Sequence, residues 1–515
     1  MTLDRRLLVS ARQFRERAAI TVGGTRATYG ELFSTAVGVC ERLDAEGIKS
    51  GQLIAVYGER SFATYSSILG VLLAGCGYVP LNVAFPPARN REILRSSGAV
   101  SLLVDRNAAA DALHQIGPVA TDLPVLEIDP VPERATSGNR FDAFASRHAL
   151  ANETIAYLLF TSGTTGAPKG VPISAGNLTS YIDAVHKLIP IDCSDRILQV
   201  ADLTFDLSVH DMMLCWMHGA ELVVAPQNGA ILAPRLIRAH DVTACLIVPS
   251  AAAKAIQLGL VSPNSMPSLR YSLFAGEALP VSLSRTWHAA APDAALFNMY
   301  GPTEGTIHTS HYRIDPHNFY EGSVTPIGWP LGDQRMSIRH RDGAEVKDCE
   351  TGEIWLAGPQ MTNGYWNAPA LTAERFMANG SERWYRTGDL GRWDPNHGIV
   401  FGGRLDRQVK ILGYRIELQD IEAALANAAG TEQVAVLAHP KNESGAAEVI
   451  IGFVAGSRVS SDGIKAALRG LLPYYMLPKE LHPLADLPVN ANGKIDYRTL
   501  ENLYRDLTTR AAVVR

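Results

Sequence analysis

The chain has 515 residues, of which 47% are hydrophobic, so it is long enough for more than one domain with a substantial core. Its formal net charge of −5 gives no electrostatic reason to expect nucleic acid as a partner. The N-terminus lacks an apolar signal core, and glycines and a proline interrupt the apolar stretch 68–81, which argues against a membrane span. The six cysteines show no Cys-x-x-Cys spacing, so we predict buried, reduced thiols in a soluble cytoplasmic enzyme.

Short β-rich apolar runs alternate with amphipathic stretches through the first 400 residues. This alternation predicts parallel sheets covered by helices. The predicted strands are 53–57, 101–105, 155–160, 222–225, 245–248 and 296–300, and the predicted helices lie near 30–45, 62–74, 176–187 and 251–259.

The pattern changes after Phe401-Gly-Gly-Arg404. Strands near 408–413, 433–438 and 448–454, with helices near 417–427 and 462–472, predict a small α+β unit. The sequence therefore predicts an α/β fold with a large N-terminal domain of parallel-rich sheets flanked by helices (1–403) and a small mobile C-terminal α+β domain (404–515). The glycine pair and the polar segment after it predict a hinge near 404–408.

A phosphate-binding loop is predicted after the apolar run Ile155–Phe160. The loop reads Thr161-Ser162-Gly163-Thr164-Thr165-Gly-Ala-Pro-Lys169-Gly. Glycines let backbone N–H groups approach an anion, hydroxyls donate hydrogen bonds, and the lysine neutralises charge. A flexible surface loop is the alternative interpretation. The spacing differs from the Gly-x-x-x-x-Gly-Lys-Ser/Thr motif, because Lys169 is followed by glycine.

Three further motifs follow: Asn298-Met-Tyr-Gly-Pro-Thr-Glu304, Tyr385-Arg-Thr-Gly-Asp-Leu390 and Gly403-Arg-Leu-Asp-Arg-Gln-Val-Lys410. Together with the loop, they resemble the adenylate-forming superfamily of acyl-CoA synthetases, luciferases and adenylation domains of nonribosomal peptide synthetases. The resemblance runs from Ala27-Thr-Tyr-Gly-Glu-Leu32 to Asn492-Gly-Lys494, nearly the whole chain.

The resemblance implies that a carboxylate attacks the α-phosphate of ATP, which releases pyrophosphate and leaves an acyl-adenylate. Cations must stabilise the charge that develops on phosphate. Lys494 matches the lysine that bridges the acid and the α-phosphate, although a turn lysine is usually solvated. Glu304 matches the acid that binds Mg²⁺, and Lys169 belongs to the phosphate loop.

Further positions match the family's nucleotide contacts. Tyr300 matches the ring that packs on adenine, although it could be a core aromatic. Asp389 offers a carboxylate for the ribose hydroxyls, and Phe401 stands where the family often has tyrosine. The implied nucleotide-binding residues are Thr161, Ser162, Gly163, Thr164, Thr165, Asn298, Tyr300, Thr303, Asp389, Phe401 and Arg404.

A second step, attachment of the acyl group to a thiol, is also implied, and the family rotates its small domain to admit the pantetheine arm. Asp406 matches the hinge position, although it could be a plain turn aspartate. Gly413 lies in the segment that matches the thiol tunnel. The chain ends 21 residues after Lys494, so we expect the acceptor to be a separate carrier protein or coenzyme A.

Phe205-Asp-Leu-Ser208 carries the most information on the acid. In amino-acid-activating members the aspartate of Phe-Asp-x-Ser pairs with the substrate ammonium, which a dry pocket would otherwise leave unpaired. A helix N-cap is the alternative role of Asp206. The family's pocket pattern falls on Asp206, Leu207, His210, Leu246, Leu273, Ala275, Met299, Ile307, His308 and Lys494.

Six of these positions are apolar and none of the wall side chains is permanently charged, so we predict a small or medium neutral amino acid. The Asp-Leu start with Leu273 and Ala275 resembles prolyl adenylation enzymes, whereas Met299 and His308 resemble threonine-activating domains. We favour proline, with a threonine-like substrate next; a histidine on an apolar wall is often simply a satisfied core residue. The predicted partner is a separate peptidyl carrier protein bearing phosphopantetheine.

Two alternatives stay open at this point. An acyl- or aryl-CoA ligase with a non-amino carboxylic acid would keep every nucleotide motif and use Asp206 structurally. A catalytically silent binding protein would need none of the charged motif residues.

Overall fold

The computed structural model describes residues 1–120, 123–129, 131–132, 150–162, 168–227, 229–347, 349–379, 382–411, 413–441, 447–489 and 495–513. These residues form two compact units. The first runs to Asp406, and the second starts at Arg407 and also takes in residues 84–89 and the segment that begins at Ser162. The predicted division at 403/404 and the hinge at 404–408 stay predictions.

The secondary structure follows in chain order. The described strands are β1 (Ala18–Val22), β2 (Thr25–Thr28), β3 (Leu53–Tyr57), β4 (Gly77–Leu81), β5 (Ser101–Asp105), β6 (Val125–Ile128), β7 (Ile155–Thr161), β8 (Lys169–Ser174), β9 (Arg196–Gln199), β10 (Glu221–Val224), β11 (Ala244–Ile247), β12 (Tyr271–Phe274), β13 (Ala295–Tyr300), β14 (Ser310–Arg313), β15 (Trp329–Pro330), β16 (Arg335–Arg339), β17 (Thr351–Ala357), β18 (Phe376–Asn379), β19 (Glu382–Asp394), β20 (Gly398–Arg404), β21 (Val409–Ile411), β22 (Tyr414–Ile416), β23 (Val434–Lys441), β24 (Ala447–Ala455) and β25 (Glu480–Leu484). The described α-helices are α1 (Leu3–Gln13), α2 (Tyr29–Ala45), α3 (Phe62–Leu73), α4 (Pro87–Ser97), α5 (Ala109–Ala120), α6 (Ala175–Leu188), α7 (Leu207–His218), α8 (Ala233–His240), α9 (Pro249–Gln257), α10 (Val281–Ala290), α11 (Pro369–Arg375), α12 (Leu418–Ala429), α13 (Ser461–Arg469) and α14 (Tyr497–Val513).

Two sheets of the first unit are mostly parallel. One has the strand order β15-β14-β13-β12-β11-β9-β10-β1-β2, in which the strands from β13 to β1 are parallel. The other has the order β6-β5-β3-β4-β7-β8, in which β8 is antiparallel. Strands such as β3 and β5 are buried along their whole length, as expected for parallel strands covered on both faces.

A third sheet of the first unit is antiparallel and contains β16, β17, β18, β19 and β20. The sequence predicted that strands and helices alternate up to residue 400. This prediction is wrong between Arg335 and Arg404, because the described residues of this region form five strands and a single α-helix, α11. Long antiparallel strands can be joined by short turns, so helices are not needed as crossovers here.

The second unit is α+β. Strands β23 and β24 are antiparallel, β25 adds in parallel, and α12, α13 and α14 complete the described helices of this unit. A strand is confirmed near 408–413, but it is shorter than predicted, because β21 ends at Ile411 and β22 begins at Tyr414. Gly413, with a φ of 80°, supplies the left-handed backbone of the turn between them.

Local signals explain where several helices begin. Thr28 caps α2 and forms a reciprocal capping box with Glu31. Ser174 and Asn177 form the same kind of box at the start of α6. The second capping box fixes the start of α6 directly after β8. The start of α6 determines where Tyr181, a residue of the candidate site, is placed.

Most of the helices and strands predicted from the sequence are present in the structure. The named strands of the first unit agree with the structure to within one residue at each end, and the α/β class with a large first domain and a smaller second one is confirmed. Buried positions were predicted for the cysteines, but Cys193 is half-buried and Cys349 is exposed. Across the described residues, no helix has the length and apolar character needed to cross a bilayer.

Candidate functional site

The predicted pocket residues lie at the carboxyl ends of neighbouring parallel strands. Leu246 on β11 is paired with Leu273 on β12, so their side chains share one face of the sheet. Met299 lies near the end of β13, the next strand of the same sheet. Open α/β sheets bind ligands at this edge, because the loops that leave the strands form a crevice there. The side chains of Leu207, Leu246, Leu273, Ala275, Met299 and Ile307 are all buried.

Asp206 stands immediately before α7 and is 4% exposed. It occupies the N-cap position, but its side chain makes none of the capping hydrogen bonds to α7, a helix that the structure describes in full. The cap role that the sequence left open therefore does not account for this carboxylate. A buried carboxylate at a helix N-terminus is stabilised by the helix dipole and is suited to pairing with a cation.

His210 and His308 are joined through one tyrosine, Tyr181 on α6. The Tyr181 hydroxyl lies 2.7 Å from His210 Nδ1 and 2.8 Å from His308 Nδ1. All three side chains are buried, and burial lowers the pKa of His210 to about 3, so this imidazole is neutral at pH 7. Tyr181 was not among the residues predicted from the sequence.

The segment before His308 has an unusual backbone. Thr306 and Ile307 have φ values of 58° and 71°, in the left-handed region that β-branched residues rarely enter. Two hydrogen bonds hold the segment: the Thr306 hydroxyl donates to the Gln360 carbonyl oxygen, and Thr309 N donates to the Tyr300 carbonyl oxygen at 2.7 Å. Strained backbone of this kind is typical of functional sites, where the surrounding structure enforces it.

Lys169 and Glu304 form the charged part of the predicted phosphate region. The β7–β8 hairpin pairs Lys169 with Thr161 and so closes the loop between them. Lys169 Nζ is 3.4 Å from Glu304 Oε1, and Glu304 is fully buried in the turn Thr303–Gly305. The Tyr365 hydroxyl donates to the same carboxylate oxygen at 2.7 Å, and Lys169 Nζ lies 5.0 Å from the Tyr365 ring centre.

The predicted ribose carboxylate, Asp389, is the centre of a second network. Asp389 on β19 is directly opposite Arg404 on β20, and Arg404 Nη1 donates to Asp389 Oδ1. The Tyr300 hydroxyl donates to Asp389 Oδ2 at 2.6 Å, and burial with the nearby carboxylate raises the pKa of Tyr300. Arg404 also donates to Asp406, at 2.7 Å from Nε and 2.9 Å from Nη2. The register of the antiparallel ladder therefore sets Asp389 opposite Arg404, and hydrogen bonds link Tyr300 and Asp406 to this pair.

The remaining nucleotide positions are distributed around this network. Asn298 Nδ2 donates to the carbonyl oxygens of Thr325, at 3.2 Å, and Pro326, at 2.9 Å, which leaves its amide oxygen to accept a hydrogen bond. Thr303 is buried beside Glu304, and Phe401 is half-buried on β20.

The predicted loop and tunnel residues are described only in part. Ser162 belongs to the second unit, where its hydroxyl donates to the Arg415 carbonyl oxygen at 2.8 Å. Thr161 ends β7 and Gly413 lies between β21 and β22. Gly163, Thr164, Thr165 and Lys494 lie outside the residues that the structure describes.

The donor set near Glu304 bears on the kind of metal ion that could bind. In the described part of the chain, no group of three His, Cys, Asp or Glu side chains is placed to hold a metal ion. A closed structural site is therefore not formed by these residues. One carboxylate together with nucleotide phosphates and water is the set that Mg²⁺ usually takes.

Two functional-site residues were missed by the sequence reasoning. Tyr181 lies on α6 and Tyr365 in the segment between β17 and α11, neither within a motif, and each contacts a predicted site residue through its hydroxyl. A buried tyrosine needs a partner for that hydroxyl, but the sequence does not say which partner it finds.

Comparison with known proteins gives matches along most of the chain. The family model described as "AMP-binding enzyme" matches residues 7–366, and "AMP-binding enzyme C-terminal domain" matches residues 420–494. The chain is 32% identical to the D-alanine--D-alanyl carrier protein ligase of Bacillus licheniformis, over 92% of this chain and 94% of that protein. It is also 32% identical to syringomycin synthase SyrB1 of Pseudomonas syringae, over 95% of this chain and 80% of that protein.

A solved structure with the same fold is the Vibrio cholerae adenylation domain AlmE, in complex with glycyl-adenosine-5'-phosphate. The TM-score is 0.88 at 28% sequence identity, and the match covers 98% of each chain.

Proposed function

The chain belongs to the AMP-binding enzyme family, and from this membership we propose that it activates a small or medium neutral amino acid and loads it onto a separate carrier protein. The resemblance to the adenylate-forming superfamily is confirmed, and the chain is a ligase that forms an acyl-adenylate and then a thioester. In the proposed first step the amino acid carboxylate displaces pyrophosphate from ATP. In the second, the phosphopantetheine thiol displaces AMP and loses its proton.

Asp206 is the observation that carries the proposal of an amino acid. Its carboxylate is buried at the start of α7 without serving as a helix cap. A substrate ammonium placed against it would gain an ion pair that a dry site requires. A fatty or aryl acid has no cation to offer at this position.

The neutral wall supports a small or medium uncharged side chain. The buried leucines, methionine and isoleucine offer no partner to a charged substrate, and burial keeps His210 neutral. The pattern of pocket residues favoured proline and then a threonine-like amino acid, and both belong in the substrate panel below.

The nucleotide would use the two polar networks of the site. Asp389 would accept hydrogen bonds from the ribose hydroxyls and Tyr300 would pack on adenine. The amide oxygen of Asn298 is suited to accept a hydrogen bond from the adenine amino group, because both amide hydrogens are already donated to carbonyls. Lys169 and Lys494 would neutralise phosphate charge, and the loop residues Thr161 to Thr165 would donate hydrogen bonds to phosphate oxygens.

Glu304 fits a role in holding Mg²⁺ with the triphosphate, since a single buried carboxylate beside phosphates suits that ion. Bound there, the ion would neutralise phosphate charge. Tyr365 and Lys169 fix the position of the Glu304 carboxylate through the contacts described above.

Amino-acid-dependent exchange of labelled pyrophosphate into ATP tests the first step. A panel of the twenty amino acids should include at least one good substrate, and Asp206→Ala should abolish the exchange. Lys494→Ala should slow it by about 10²–10³-fold, because a contact made in the transition state is lost. Asp293→Ala and Lys479→Ala, which remove exposed charges of the same kind, are the matched controls. Exchange with none of the twenty would contradict the proposal.

The acceptor is tested in a separate assay. Intact mass spectrometry of a phosphopantetheinylated carrier protein should show the added aminoacyl mass, with little thioester formed on free coenzyme A. The supporting relative is the D-alanine--D-alanyl carrier protein ligase, whose name includes a carrier. Fast turnover of an acid without an amine, with coenzyme A as acceptor, would instead favour an acyl- or aryl-CoA ligase.

A further inference from the structure

Glu353 on β17 is a buried carboxylate that has no part in the function proposed above. Its side chain is 3% exposed, and both of its oxygens accept hydrogen bonds. Oε2 accepts from Arg386, at 3.1 Å from Nε and 2.9 Å from Nη2, and from Trp355 Nε1 at 3.2 Å. Oε1 accepts from the backbone N of Gly388 at 3.0 Å. Glu353 therefore holds the backbone of the residue directly before Asp389.

The contact with Gly388 lies inside a β-bulge between β17 and β19. Glu353 is paired with Leu390, and Trp355 is paired with Arg386, so the register shifts between these two pairs. One residue of β17 therefore lies opposite three residues of β19, which are 387–389. Bulges disrupt the strand ladder locally and re-aim side chains, and they are common next to active sites.

The other backbone groups of the bulge are also held. The Thr387 hydroxyl donates to the Ile354 carbonyl oxygen at 2.7 Å and accepts from the N of Asp389 at 2.9 Å. The Gly388 carbonyl oxygen accepts from the N of Leu405 at 2.8 Å. Each residue of the bulge thus has a fixed backbone position, and the direction of the Asp389 side chain follows from it.

We propose that Glu353 is a positioning residue for the nucleotide, which directs the Asp389 carboxylate towards the ribose hydroxyls by holding the N–H of Gly388 inside the bulge. The inference rests on the proposed function, because it takes Asp389 as the ribose contact. Glu353 acts through Asp389 and contacts no part of the nucleotide itself. A displacement of about 1 Å at a positioned group can cost about 10²-fold in rate, so the support of the bulge matters for binding a ribonucleotide.

Glu353→Gln keeps the shape of the side chain but replaces one acceptor oxygen by a donor. The amide oxygen pairs with the charged guanidinium of Arg386, so the amide NH2 faces the N–H of Gly388 and two donors oppose each other. Glu353→Asp is a second variant, which keeps the charge but shortens the side chain by one methylene. It can retain the ion pair with Arg386 while its carboxylate no longer reaches the bulge.

The pair ATP and 2′,3′-dideoxyATP measures the ribose contact, because the analogue lacks both hydroxyls. Pyrophosphate exchange with the best amino acid of the panel should favour ATP by about 100-fold in kcat/KM in the unaltered protein. Both Glu353 variants should reduce this ratio by about tenfold. A merely structural role would lower the rates with the two nucleotides alike and leave the ratio unchanged.

Glu221→Gln is the matched control. Glu221 on β10 is also a buried carboxylate, and it accepts from Arg26 Nε and Nη2, each at 3.0 Å. This isosteric change should leave the ATP-to-dideoxyATP ratio unaltered. Thermal unfolding of each variant checks that it folds.

A double-variant cycle tests whether Glu353 acts through Asp389. Asp389→Asn should itself lower the ratio, and Glu353→Gln added to it should lower the ratio little further, because the group that Glu353 positions is already altered.

A second readout does not depend on turnover. Isothermal titration should give a lower Kd for AMP than for 2′,3′-dideoxyAMP in the unaltered protein, and this difference should shrink by about tenfold in Glu353→Gln. The titration also decides the matter for a variant that folds but is inactive in exchange.

The outcomes separate the two proposals. An unchanged ratio in both Glu353 variants, or a full further loss when Glu353→Gln is added to Asp389→Asn, would overturn this inference and leave the proposed function standing. Equal use of ATP and dideoxyATP by the unaltered protein would overturn it together with the ribose role of Asp389, but not the activation of an amino acid. Absence of exchange with every amino acid would overturn the proposed function, and the AMP titration would still decide the role of Glu353.

Discussion

Replacing Tyr300 by phenylalanine should destabilise the protein measurably, because the Tyr300 hydroxyl donates to a buried carboxylate. The distance to Asp389 Oδ2 is 2.6 Å, and both side chains are buried. A hydrogen bond to a charged group contributes about 1.5–3 kcal/mol, whereas one between neutral groups contributes about 1 kcal/mol. We therefore expect Tyr300→Phe to cost about 2 kcal/mol.

Tyr65 and Tyr157, which are both fully buried, extend this to a graded series with the same chemical change. The Tyr65 hydroxyl donates to the neutral amide oxygen of Gln199 at 2.5 Å, so Tyr65→Phe should cost about 1 kcal/mol. Within the described part of the chain the Tyr157 hydroxyl has no partner, so Tyr157→Phe should cost close to nothing.

Differential scanning calorimetry at a fixed scan rate measures the series. For a unit of roughly 400 residues the unfolding entropy is about 0.8 kcal/mol/K, so 2 kcal/mol corresponds to a Tm lowered by about 2.5 °C. The order of the Tm decreases should be Tyr300, then Tyr65, then Tyr157. A Tyr300→Phe variant as stable as Tyr157→Phe would refute the reasoning that the charge of the acceptor sets the cost.

Three further predictions concern pH and backbone geometry. Burial holds the pKa of His210 at about 3, so the unfolded chain takes up a proton below pH 6.5 that the folded chain does not. Urea unfolding should therefore give a free energy of unfolding about 2 kcal/mol lower at pH 5 than at pH 7. The difference between the two pH values should be smaller in His210→Gln. Asp241 ends α8 with φ 48° and ψ 48°, so Asp241→Gly should raise the free energy of unfolding by about 0.5–1 kcal/mol in the same assay, and no gain would contradict the strain argument. Gly328 has a φ of 74°, and an added Cβ would lie 2.1 Å from the His311 carbonyl oxygen. Gly328→Ala should therefore lower the free energy of unfolding by about 3 kcal/mol or more and lower the yield of folded protein. With the same unfolding entropy as above, a Tm lowered by only one or two degrees would count against this prediction.

The sequence predicted the parts of the site that depend on local chemistry and on strand order. Strand periodicity placed Leu246 and Met299 in predicted strands, whereas Leu273 was named only through the family's pocket pattern. Leu273 lies on β12, a strand that was not predicted and that pairs with β11 on one side and β13 on the other, so the carboxyl ends of these parallel strands meet at one edge. The positions of Asp206 and Glu304 followed from motifs, and the structure shows both carboxylates to be buried.

Contacts between distant side chains could not be predicted. Tyr181 and His308 are separated by 127 positions, and nothing in either segment indicates that they share a hydrogen bond. Strand pairing in the antiparallel sheet was missed for a related reason, since its register depends on turns between long strands rather than on crossover helices. The pairing of Asp389 with Arg404 is a consequence of that register.

The paired left-handed residues Thr306 and Ile307 bear on how the pocket could be re-engineered. The direction of the Ile307 side chain depends on a left-handed backbone conformation that isoleucine seldom adopts. Hydrogen bonds to the carbonyl of Gln360 and to the end of β13 hold the segment in this conformation. In a point exchange at position 307, each new residue would have to adopt the same left-handed backbone conformation. Grafting the continuous stretch 301–309 together with Gln360 would carry the backbone along with the side chains, so chimeras with those boundaries should retain activity more often than point exchanges.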